Sequence, residues 1–267
     1  MQHAIRIGLM LLVWGALLGW GLTADRLECA VTAVPIALAA GLIALVGMEV
    51  AFYRRHAFLR HYLIPEGFLF RVLGRRVLIF VRQGIKSLLL AFMLLIGVLG
   101  MDWPQWLLLL ADVFMLAALL ALFSSLFSGE VREPYRLPMA RHWAGRINAL
   151  LLWLAWALLI YYSPQENYAG LSWEQVVAHS AHESRVGCDA LAVLANLGAT
   201  GEALVLWFAQ NQFSGLRDPD HLLTAWAAFV ATFGASFVLV LAYTRVLIGA
   251  LARPWCVWRE ADREDSD

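Results

Sequence analysis

Residues 54–86 read RRHAFLRHYLIPEGFLFRVLGRRVLIFVRQGIK, with eight Arg or Lys and a single acid, Glu66. Long apolar runs flank this stretch on both sides. A short loop this basic between hydrophobic segments stays in the cytoplasm, because translocating it against the membrane potential is unfavourable. The stretch therefore sets the direction in which every other segment runs.

Composition agrees with a chain solvated mostly by lipid. Of the 267 residues, 61% are hydrophobic and only 15% charged, where soluble domains carry about a quarter charged. Formal net charge is zero, but nineteen of the twenty basic residues are Arg and only Lys86 is Lys. That bias suits a GC-rich bacterial genome, and hence a bacterial inner membrane. The three cysteines show no CxxC or CxxH spacing, which argues against zinc ribbons, thioredoxin-like motifs and c-type haem attachment. Without repeats or a Ser/Gly linker, residues 1–258 read as one membrane domain, and 259–267 as a charged cytoplasmic tail.

Upstream of the basic loop lies a span over 30–53, with Pro35 near its start and Glu49 near its cytoplasmic end. Glu49 is expected to snorkel or to pair with Arg54 or Arg55. Before it, 7–22 forms a first span carrying Gly15 and Gly19 in GxxxG spacing. A signal peptide is the competing reading there, but Leu22-Thr23-Ala24 is a poor cleavage site, so the span is expected to be retained. Downstream, 87–101 is the third span. Asp102-Trp103-Pro104 makes an outer turn, with Asp as N-cap and Pro early in the next helix. Spans four, five and six follow at 105–127, 147–162 and 222–251, with a second cytoplasmic loop over 129–146.

The segment 163–221 holds seven acids against Arg185 and Arg217, the reverse of the inner loops. It is assigned outside, leaving both termini cytoplasmic. Within it, 171–184 can form an amphipathic helix. Residues 190–209 are apolar but interrupted by Asn196, Gly198, Gly201 and Glu202, a pattern that suits two short helices or a re-entrant hairpin better than a span. The fold class is thus an all-α integral membrane bundle of about six transmembrane helices with interfacial amphipathic helices.

Candidate sites are few. Arg71, Arg75, Arg76 and Arg82 alternate with Phe and aliphatic residues, as in a helix lying on an anionic leaflet, so lipid or partner contact is expected there and nucleic acid is not. Asp112 lies about 12 Å along its helix from Pro104 at 1.5 Å per residue. A carboxylate at that depth faces a bundle interior, a partner or a water cavity. It is either an inter-helix hydrogen-bond acceptor or, with Glu202, part of an ion or solute pathway. His179 and His182 share a helical face at i, i+3 and could hold a metal, yet HSAHE matches neither HExxH nor HxxEH. Cys29 and Cys188 share the oxidising side in this topology and could be disulfide-bonded, while Cys256 falls on the reducing side.

No GxSxG, Walker A loop, mid-span histidine pair or Arg ladder is present, which leaves cofactors, redox centres and voltage sensing without support. The sequence favours a non-enzymatic assembly, anchoring or translocation subunit, whose partners are lipids and other membrane subunits or further copies of itself. A small-solute or ion transporter using Asp112 is the alternative, and a metal enzyme at His179 and His182 a second one.

Overall fold

Leucine and alanine dominate the apolar runs, and both are strong helix formers. In hydrocarbon every backbone N–H and C=O needs an internal partner, which a helix supplies from within one segment. The computed structural model describes residues 2–24, 26, 28–62, 76–131, 133–162, 167–168, 170–180, 189–212 and 219–252. Among these residues the chain is helical, with no strand. The helices are α1 (Gln2–Thr23), α2 (Cys29–Tyr62), α3 (Arg76–Val98), α4 (Trp103–Leu126), α5 (Glu133–Tyr162), α6 (Trp173–Ser180), α7 (Asp189–Gln212) and α8 (Pro219–Gly249).

Five of them are long and apolar enough to cross a membrane, with spans at Ala4–Thr23, Val31–Ala51, Phe80–Val98, Trp103–Leu126 and Tyr135–Ile160. Helix α8 contributes the apolar run Gly234–Gly249 and is 31 residues long. The protein is an all-α membrane bundle of about six helices, as the hydropathy pattern requires.

Several boundaries differ from the expected ones, each for a physical reason. Helix α5 begins at Glu133, not near 147, so most of the anticipated second loop is helix. Pro138 removes only one backbone bond near the helix start, and the helix continues past it. Helix α3 begins at Arg76, so the second half of the basic stretch is the first turns of a span; residues 63–75 lie outside the described residues. Helix α7 runs unbroken from Asp189 to Gln212 through Gly198 and Gly201, where two short helices or a hairpin were expected. A glycine costs about 1 kcal/mol in a helix, too little to break a segment with apolar side chains on either side. The Asp102-Trp103-Pro104 turn has the local geometry expected: Gln105 Oε1 accepts from the Asp102 N–H at 2.9 Å, and Pro104 occupies the first turn of α4.

One core joins α1, α2, α3, α4, α5 and α8. Met10, Leu94, Leu109, Leu116, Leu152, Tyr243 and Leu247 are fully buried in it. Helix α2 lies along α3, α4 along α5, and α8 packs on α2, α3 and α5. Glycine permits the closest approach: a Cβ on Gly249 would collide with the backbone carbonyl of Leu42. Helices α6 and α7 pair over a separate small cluster of Tyr168, Val176, Ala203, Leu206 and Trp207. Their polar ends interlock, with Trp207 Nε1 donating to the Leu171 carbonyl at 2.6 Å and Asn211 Nδ2 to the Tyr168 carbonyl at 3.0 Å.

Candidate functional site

Polar side chains are costly in a bundle core unless they find one another. Three helices of this bundle each contribute one at a common level. Asp112 comes from α4, Asn148 from α5 and Thr244 from α8, and they are 2%, 0% and 1% exposed. Asn148 Nδ2 donates to both carboxylate oxygens of Asp112 at 3.0 Å, and approaches Thr244 Oγ1 at 3.5 Å. Next to Thr244, the Tyr243 hydroxyl donates to the Leu109 carbonyl at 2.7 Å, one turn before Asp112. Asn148 Oδ1 is buried and accepts no hydrogen bond among the described residues. The cluster can tie α4, α5 and α8 together, and it offers one unused acceptor beside a buried carboxylate.

A second polar knot lies about two turns away along α5, Arg141 being seven residues before Asn148. Glu49 on α2 is 1% exposed and pairs with Arg141 on α5 through Nε at 3.1 Å and through Nη2. Arg141 Nη1 also donates to the Leu251 carbonyl just beyond α8, at 2.9 Å. Arg141 was not among the expected partners of Glu49; the side chains of Arg54 and Arg55 lie outside the described set. A two-pronged guanidinium–carboxylate contact is the strong geometry for a buried pair.

The other sequence candidates do not converge among the described residues. His179 is exposed on α6, while His182 and Glu183 lie outside the described residues. No group of three His, Cys, Asp or Glu able to hold a metal gathers among the described residues. Glu202 lies within α7, its side chain outside the described set, as is that of Arg76 at the start of α3. Arg71 and Arg75 also fall outside, and Arg82 is exposed on α3. Cys29 is disulfide-bonded; Cys188 and Cys256 lie outside the described residues. Gly15 and Gly19 are exposed with nothing near an added Cβ, so the GxxxG face packs on no helix among the described residues. The close glycine of α1 is Gly21, where a Cβ would stand 2.9 Å from Trp106.

Arg141, Asn148 and Thr244 were missed in the sequence reading. Part of the signal was available: Asn148 and Thr244 are polar residues within otherwise apolar runs, on helices that pack beside Asp112. Comparison with protein families, curated proteins and solved structures finds no match for this chain.

Proposed function

We propose that this protein is a non-catalytic, multi-pass subunit of a bacterial inner-membrane complex, assembling, anchoring or helping to translocate its partners. One observation carries the reading. Both acids buried among the described residues, Asp112 and Glu49, are engaged in bonds between helices, to Asn148 and to Arg141. An arrangement of this kind fixes a scaffold, whereas a conduit needs polar groups facing an open path.

The orientation that goes with it places the Arg54–Lys86 loop and both termini in the cytoplasm. Two independent signals support it. The loop is basic by eight residues to one acid, and the opposite end of α2 carries Cys29 in a disulfide, the chemistry of an oxidising compartment.

Purification in mild detergent from the native membrane, with quantitative mass spectrometry of the eluate, tests the proposal. The expected result is at least one stoichiometric membrane partner, retained equally by Asp112→Asn. A homo-oligomer without partners would overturn it.

Transport is the second reading, and the observation in its favour is local. Asp112 faces no cationic side chain among the described residues, and Asn148 Oδ1 beside it is unused. Under that reading Asp112→Asn abolishes solute flux in reconstituted vesicles while expression and monodispersity persist.

A further inference from the structure

Helices α1 and α4 are packed tightly at one end and stand apart at the other. At the Gly21 end, Trp14 and Trp106 meet edge to face with centroids 6.4 Å apart, and Gly21 lies directly against Trp106. Toward the start of α1 the two helices leave a cavity of about 270 Å³. Ile7 and Met10 line it from α1, and Phe114, Ala117 and Ala118 from α4, with Arg6 as its charged residue. The two alanines make the room. Phe114 is 53% exposed, so the cavity opens sideways to the surroundings of the bundle. Ala118 lies fifteen residues after Trp103, about 22 Å along α4, which sets Arg6 near the membrane face opposite Trp103.

We propose that this cavity seats an acyl chain of one anionic phospholipid, whose phosphate pairs with Arg6. Size argues for a chain over a helix. A helix is about 10 Å across and needs a groove running the length of several turns, whereas this lining covers about one turn of α1, Arg6 to Met10, and two of α4, Phe114 to Leu120, room for one narrow hydrocarbon chain. Charge argues for an anionic headgroup. Arg6 is only partly exposed and makes no ion pair with an acid among the described residues. At the level where headgroups begin, a lipid phosphate is the available counter-ion, and Arg takes it in a two-pronged contact. The basic residues of the loop attract anionic lipid by diffuse charge. The α1–α4 cavity differs in holding one lipid at a defined place, with the tail buried against Met10.

The experiment uses the full-length protein in phosphatidylcholine vesicles containing a trace of diazirine-tailed phosphatidylglycerol, or of diazirine-tailed phosphatidylcholine as the comparison. After irradiation, adducts are mapped by peptide mass spectrometry. The expected adducts concentrate on the peptides bearing Met10 and Phe114, with the phosphatidylglycerol probe favoured about fivefold, the ratio expected of one basic residue near the surface. Arg6→Gln removes that preference and Arg6→Lys keeps most of it. Ala118→Phe fills the cavity and lowers labelling by both probes, with the loop charges untouched. Equal labelling by the two probes would overturn the proposal, as would a preference that survives Arg6→Gln. Adducts spread evenly over exposed leucines such as Leu88 and Leu107, or labelling unchanged in Ala118→Phe, would overturn it too.

Discussion

The guanidinium of Arg141 faces two helices at once, giving two donors to Glu49 on α2 and a third to the carbonyl of Leu251 after α8. Its removal takes two guanidinium donors from a carboxylate that is 1% exposed. Breaking such a pair from one side costs about 3–5 kcal/mol, whereas replacing both partners by apolar residues can be close to neutral. Arg141→Leu is therefore expected to lower the unfolding midpoint in detergent sharply. The double variant Glu49→Leu/Arg141→Leu should recover most of that loss, and a double variant no better than the single one would contradict the clamp. Asn148 is a milder case of the same logic. Asn148→Leu strips both hydrogen bonds from the Asp112 carboxylate and should destabilise by about 1–3 kcal/mol. Adding Asp112→Leu should return part of it, as thermal unfolding of the single and double variants can establish.

Among helices, glycines sort into two kinds that sequence alone does not separate. GxxxG drew attention to Gly15 and Gly19, yet both are exposed on α1, while Gly249 meets the backbone of Leu42 and Gly21 meets Trp106. Gly249→Leu is expected to cost about 1–3 kcal/mol through overpacking, and the upper end applies because a carbonyl cannot rotate away as a side chain can. Gly15→Ala and Gly19→Ala should be neutral or stabilising by up to about 1 kcal/mol, since Ala is the better helix former. Thermal unfolding in detergent compares the three, and a destabilised Gly15→Ala would show that this face is packed. Hydropathy made the spans legible, because twenty apolar residues in lipid have few alternatives to a helix. It did not show that Glu133–Arg146 continues α5, nor that α7 runs through Gly198 and Gly201. Polar or glycine-bearing turns at a helix end are decided by what they pack on. The carboxylate of Asp112 stood out by its depth, but its partner depended on which helices become neighbours, and that lies in the pairing of α4 with α5 and α8.

Across the whole molecule, the disulfide at Cys29 and the position of the last helix together select the partner. Only Cys188 and Cys256 are available. The end of α8 sits on α2 where Gly249 meets the Leu42 backbone, and Arg141 then holds the Leu251 carbonyl together with Glu49, so the chain leaves α8 toward the basic-loop end of α2. Cys29 is thirteen residues before Leu42, about 20 Å away along the α2 axis. The five residues from Leu251 to Cys256 cover at most about 18 Å when fully extended, and they would have to turn straight back along the bundle to use it. Cys188, one residue before the α7 helix that packs on α2 and α3, is therefore the expected partner. A Cys29–Cys188 bond would bring the start of α7 to the end of α2 opposite the basic loop. Peptide mapping without reductant should recover a Cys29–Cys188 linked pair and leave Cys256 alkylated. A membrane-impermeant maleimide added to intact cells should label Cys188 after reduction but not Cys256. Labelling of Cys256 from outside would reverse the orientation of all the helices, and a linked Cys29–Cys256 pair would overturn the Cys29–Cys188 assignment.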